Sequence, residues 1–188
     1  MHNTKTRQLA LNAVLAAMCA ALGYLSLDFG NLKITFESVP ILIGALLFGG
    51  LDGAAIGAVG TLIYQLLRYG VTVTTPLWIL PYVLCGLVVG VYARRHDFQL
   101  SQWQIVFIVV LAELMVTCIN TVALIVDAKI CGYYTPTLMT GALLLRLVLC
   151  VGKALVYAFV LPPLLNKLKK MEKKPEFENL IGSHTKKP

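Results

Sequence analysis

Residues 103–126 read WQIVFIVVLAELMVTCINTVALIV, a run of 24 positions that carries a single formal charge, Glu113. A helix rises about 1.5 Å per residue and a bilayer's hydrocarbon is about 30 Å thick, so about 20 apolar residues cross it. This run therefore reads as a membrane span. Working outward, comparable blocks lie at Arg7–Leu27, Ser38–Phe48, Leu51–Leu67, Pro76–Ala93 and Leu138–Leu165. The Ser38–Phe48 block is short for a crossing and needs extension through Gly50 or a bilayer that thins around it. Over all 188 residues, 58% are hydrophobic and only 13% charged, about half the charged share of a soluble domain. The expected fold class is all-α: a polytopic membrane protein of six helices in one domain over residues 1–172, with a flexible basic tail over 173–188.

The charges orient the spans. Lys5 and Arg7 precede the first, Arg94 and Arg95 lie between the fourth and fifth, and Lys167, Lys169, Lys170, Lys173 and Lys174 follow the sixth. In a six-helix chain these breaks share one side. The opposite breaks hold Lys33, Arg68 and Lys129, partly offset by Asp28 and Asp127. The positive-inside rule then places both termini in the cytoplasm. Most of the net charge of +7 is a topology signal, and the basic tail reads as an anchor near anionic lipid rather than a nucleic-acid arm. The first block is long and lacks a small-residue cleavage site, so it reads as a helix and not as a cleaved signal.

Several chemistries find no residues to carry them. Cys19, Cys85, Cys118, Cys131 and Cys150 include no close pair with metal-ligand spacing, which argues against a zinc site or disulfide framework. His2, His96 and His184 lie at the chain ends or in a break, and no serine sits in a Gly-x-Ser-x-Gly setting. No Gly-x-x-x-x-Gly-Lys-Ser/Thr loop is present, so ATP hydrolysis by that route is excluded. No catalytic residue, metal or cofactor is expected. Transport energy would have to come from a partner or an ion gradient.

Polar groups within the spans cost several kcal/mol unless paired or hydrated, and are candidates for function. Glu113 and Asn120 are seven apart in the fifth span, as are Arg146 and Lys153 in the sixth, so each pair shares a helix face. With both termini inside, Asn120 and Arg146 lie in the outer half, and Glu113 and Lys153 deeper. The deeper two either neutralise each other or face a pocket. Arg146 offers a planar, bidentate donor to a carboxylate or phosphate. Tyr64, Gln65, Arg68, Trp78 and Tyr82 gather at the outer ends of the third and fourth spans, around Thr72–Pro76. Trp78 suits an interfacial aromatic belt or a pocket wall equally. Thr75 followed by Pro76 reads as a helix start, and Pro81 as a kink in the fourth helix.

Small residues mark helix faces. Ala13, Ala17 and Ala21 recur every four residues, with Ala16 and Ala20 alongside. Periodicity alone points to internal packing of that face. Gly49, Gly53, Gly57 and Gly60, and then Gly86 and Gly90, read as further packing ridges.

A basic N-terminus feeding an Ala-x-x-x-Ala helix, then Asn31-Leu32-Lys33-Ile34-Thr35-Phe36 leading to Val39-Pro40, then Leu47-Phe48-Gly49 and Gly53, resembles the substrate-binding S components of energy-coupling factor (ECF) transporters. The likeness covers about residues 5–170; Gly50 stands where family members commonly carry proline. It implies an integral, multi-pass subunit of the bacterial plasma membrane that captures a vitamin or related micronutrient outside. It also implies partnership with a transmembrane coupling subunit and two cytoplasmic ATPases, and it reverses the packing reading of Ala13, Ala17 and Ala21 in favour of docking. The expected substrate-binding set is Arg146, Asn120, Gln65, Tyr64, Trp78, Tyr82 and Lys33. Outer-half cations outnumber anions, which favours an anionic vitamin, pantothenate first and folate second. Thr75-Pro76-Leu77-Trp78 stands where folate-specific members often carry a Pro-Gly-Phe-Thr-like stretch. The alternative reading is an autonomous ion-coupled small-solute carrier or channel.

Overall fold

The computed structural model describes the backbone of residues 2–29 and 32–172, and side chains for 5–26, 35–135 and 145–168. Six helices follow one another: α1 (His2–Tyr24), α2 (Ser38–Phe48), α3 (Gly50–Tyr69), α4 (Thr75–Arg95), α5 (Gln102–Ile130) and α6 (Pro136–Glu172). Between α1 and α2 lies an antiparallel pair, β1 (Leu27–Phe29) and β2 (Leu32–Ile34), with Asp28 opposite Lys33. The architecture is all-α apart from this small hairpin. The first helix thus ends three residues before the sequence pattern suggested, because the chain leaves Tyr24 for a strand and pairs its backbone groups there. The expected tail over 173–188 lies outside the described residues.

Five helices are long and apolar enough to cross a bilayer. The exception is α2, with 11 residues. It neither extends through Gly50 nor faces lipid. Gly49 takes φ +107°, a conformation side-chain-bearing residues rarely adopt, and turns the chain directly into α3. Ile41, Leu42, Ala45 and Leu46 of α2 are buried at the centre of the bundle, among Ile56, Cys85, Val89, Ile108 and Tyr157. A helix apolar on all sides is stable where protein surrounds it. The connection entering α2 is likewise held within protein, the setting in which irregular backbone is tolerated at membrane depth.

The tightest seam joins α3 to α4. A Cβ on Gly86 would lie 2.3 Å from the Gly53 carbonyl carbon, and one on Gly90 would lie 2.1 Å from the Gly50 nitrogen. Of the predicted glycine ridges, Gly49, Gly53 and Gly57 with Gly86 and Gly90 form this seam, whereas Gly60 meets α1; the close backbone approach supplies dispersion contact where no hydrophobic drive exists between helices. Short connections between packed neighbours make successive helices antiparallel. The two ends of the described chain therefore share a side with the 96–101 connection, and the hairpin, the 70–74 loop and the 131–135 loop share the other. Ser101 opens α5 through reciprocal bonds with Gln104, at 2.8 and 3.4 Å. At the start of α4 the cap is Thr74, not Thr75. The Thr75 hydroxyl instead accepts from the Thr72 backbone N–H at 3.0 Å and closes the preceding loop. Pro81 is buried within α4, which continues through it.

Candidate functional site

On the outer side the helices diverge around a cavity of about 630 Å³. Each element contributes what its position allows. The last turns of α3 supply Tyr64, Gln65 and Tyr69; the loop after it supplies Thr72, Val73 and Thr74. The first turns of α4 supply Trp78 and Tyr82. From α5 come Val116, Thr117, Asn120, Leu124 and Asp127, all in its outer half, and from α6 come Arg146, Leu149, Cys150 and Lys153. Thr35 and Glu37, on the stretch entering α2, complete the wall.

Six of the seven residues expected to bind substrate, Tyr64, Gln65, Trp78, Tyr82, Asn120 and Arg146, are brought together here. For Lys33 the backbone lies in β2, and its side chain is outside the described residues. Trp78 therefore belongs to the pocket wall. Arg68 does not line the cavity; its guanidinium donates to the Tyr24 carbonyl at 3.2 Å and the Ser26 hydroxyl at 3.0 Å.

The electrostatics differ from the sequence reading in one respect. Glu37, not selected from the sequence, is only 2% exposed and sits in the cavity wall. It accepts hydrogen bonds from the Thr35 hydroxyl, at 2.9 Å, and from the Tyr82 hydroxyl. Tyr82 in turn accepts from the Asn120 amide at 3.5 Å. Asp127 accepts from Tyr133, whose hydroxyl is pushed up to about 12 by partial desolvation and by Asp127, so it remains a donor at physiological pH. Below these groups Lys153 pairs with fully buried Glu113 at 3.0 Å. The deep pair is thus both glue and floor: the charges neutralise each other while Lys153 reaches the cavity. Arg146 makes no hydrogen bond or ion pair among the described residues. Among the described residues the cavity lining consequently holds two acids, Glu37 and Asp127, and two bases, Arg146 and Lys153, rather than the cationic excess counted along the sequence. Glu37 had a legible signal, a carboxylate directly before an 11-residue apolar block. Only the folded chain shows that it turns inward.

Away from the cavity, Ala13, Ala17 and Ala21 are exposed along α1, whereas Ala16, Cys19 and Ala20 are buried. The internal-packing reading of the first face is therefore corrected: packing uses the adjacent face, where Cys19 and the Ala16 carbonyl abut Gly60.

The family model for the ECF transporter substrate-specific component matches residues 7–167. The chain belongs to that family. This substrate-specific component also superposes on the S-component for biotin from an ECF-type ABC transporter, with a TM-score of 0.69 and 15% identity over 90% of this chain and 94% of the other. Against FolT bound with folic acid, the TM-score is 0.66 and the identity 23%, over 87% and 96% of the two chains. These likenesses establish a shared fold. Among curated proteins none matches the sequence. Membership of the family makes the chain a membrane transporter component that binds substrate.

Proposed function

We propose that this component captures a vitamin-sized anion from outside the cell and holds its charged group on Arg146. The observation that carries this reading is an arginine without an internal acceptor among the described residues, set in the wall of a 630 Å³ cavity with aromatic and hydroxyl neighbours. Desolvating a guanidinium is costly unless an anion answers it, and cavities of about 300–1,000 Å³ suit small organic solutes. Asn120 and Gln65 orient the solute; Tyr64, Trp78 and Tyr82 supply apolar wall. Pantothenate and folate, both carboxylates, are the first solutes to assay.

The exposed Ala13, Ala17 and Ala21 face is the docking surface for a transmembrane coupling subunit, and two cytoplasmic ATPases supply the energy that this chain cannot. The bacterial plasma membrane is the expected setting. Mass spectrometry of small molecules retained by the purified protein tests the capture reading. A carboxylate or phosphate held at about one molecule per chain is expected from a cavity of this size. Retention only of neutral or cationic solutes, or of none, would overturn it.

A further inference from the structure

Resting on the capture reading, we infer that the solute is elongated and carries, at the end opposite its acid, a neutral hydrogen-bond acceptor that meets the Lys153 ammonium at the floor of the cavity. A carbonyl oxygen or a ring nitrogen is the chemistry meant. Lys153 lies seven residues beyond Arg146 on α6, which at about 1.5 Å per residue sets the two Cα atoms about 10 Å apart along one face of the helix. Side chains lean towards the N-terminal end of their helix, and the start of α6 is on the cavity side. Lys153 is therefore directed up into the cavity. Its side chain is 16% exposed and lines the cavity, so its contact with Glu113 does not seal it off.

The two cations differ in what they have left to give. Arg146 has both charge and donors unanswered among the described residues. Lys153 has its charge answered by Glu113, fully buried on α5 at 3.0 Å. An ammonium carries three N–H donors, however, and one carboxylate oxygen takes one of them. The Tyr157 ring, centred 5.9 Å from Nζ, attracts the charge but offers no lone pair. The lining residues at this depth, Val116 on α5 and Leu149 and Cys150 on α6, add at most a weak sulfur acceptor. Donor capacity without net charge selects a neutral acceptor. A second anion would meet the Glu113 charge just behind the ammonium. An alkyl end would displace water from the N–H groups and return nothing, so a simple fatty acid answers Arg146 alone. Lys153 is thus a specificity-determining residue at the deep end, as Arg146 is the charge-holding residue at the outer end.

The probe is the small-molecule fraction of yeast extract, incubated with the purified full chain, washed, and analysed by native mass spectrometry with fragmentation. A carboxylate or phosphate with a carbonyl or ring nitrogen at its far end is expected. The retained compound is then compared with an analogue in which that carbonyl is reduced to methylene, or that nitrogen replaced by C–H. Both are titrated against wild type and the double variant Lys153→Met with Glu113→Leu, which removes both charges and strands neither. Loss of the acceptor should weaken wild-type binding by about 10- to 100-fold. The double variant, its fold checked by an unfolding curve in detergent, should bind the parent compound more weakly by a similar factor and should not distinguish parent from analogue. Wild-type affinity and discrimination in the folded double variant would mean that the pair serves packing alone, and would overturn the inference. Because wild type with the analogue is informative by itself, a double variant that fails to fold leaves the test intact. A retained anion whose far end is apolar or anionic, or an analogue that binds wild type as well as its parent, overturns this inference and leaves the capture reading standing. Retention only of neutral or cationic solutes, or of none, overturns the capture reading, and this inference with it.

Discussion

Arg146 and Lys153 lie on one face of α6, two helical turns apart, yet their surroundings give them different work. Lys153 has its counter-charge in Glu113 at 3.0 Å, and Arg146 has none among the described residues. Losing a buried charge-assisted contact costs about 2–5 kcal/mol, so Arg146→Ala should weaken solute binding by about 30-fold to several-thousand-fold. Arg146→Lys should recover part of that, because an ammonium lacks the planar fork. Titration calorimetry on the folded variants reads this, with Arg68→Ala as the control for a merely attractive outer charge; near-native affinity in Arg146→Ala would remove it from the site. The deeper pair predicts a stability effect. Lys153→Met should cost about 3–5 kcal/mol by stranding a fully buried carboxylate, and the double change with Glu113→Leu should restore most of it. Unfolding curves in detergent decide this, and equal loss in the single and double variants would mean that the pair matters for packing alone.

At the scale of elements, α1 has two faces with separate duties. Its packed face carries Ala16, Cys19 and Ala20, and a Cβ on Gly23 would lie 2.9 Å from both Glu37 and Tyr64, so its outer end touches the cavity wall. Its exposed face carries Ala13, Ala17 and Ala21. Replacing Ala13 and Ala17 with tryptophan should therefore block uptake by the assembled transporter while leaving solute affinity unchanged, because bulk on the exposed face keeps a partner helix away. Unaltered uptake would refute the docking face, and loss of both binding and folding would return it to internal packing. The outer loops are the moving candidates. Thr35, Thr72 and Thr74 line the cavity, and solute binding should slow hydrogen exchange in the segments 28–36 and 72–76. Identical exchange with and without solute would describe a site that is already closed or never closes.

For the whole molecule, six antiparallel helices place the described chain ends on one side and the cavity on the other. The positive-inside rule makes the first side cytoplasmic. In a variant retaining only Cys131, which lines the cavity in the loop after α5, a membrane-impermeant maleimide should label intact cells, and solute should protect the thiol. A cysteine placed instead at Asp97, between α4 and α5, should react only after permeabilisation. The reverse pattern would invert the topology and put the cavity on the cytoplasmic face.

The six helices were legible in the sequence by itself, because crossing hydrocarbon demands long apolar runs, although only five of them are long enough to cross. Depth also selected Arg146 and Asn120, since a polar group at that level is costly without a purpose. The α2 block was legible to the residue, Ser38–Phe48, but its place was not. An 11-residue apolar helix reads the same whether it meets lipid or protein, and only the packing of α1, α3, α4 and α6 around it shows that it is the core. The alanine pattern of α1 was similarly visible without its sense, because a period of four marks a face and does not say what covers it. Glu37 shows the same limit at the site: Tyr82, which donates to it, and Asn120, which donates to Tyr82, are 45 and 83 positions away, and these hydrogen bonds exist only once α4 and α5 have closed on the stretch entering α2. Local composition decides what must leave water, whereas long-range packing decides which of the groups that leave it will meet.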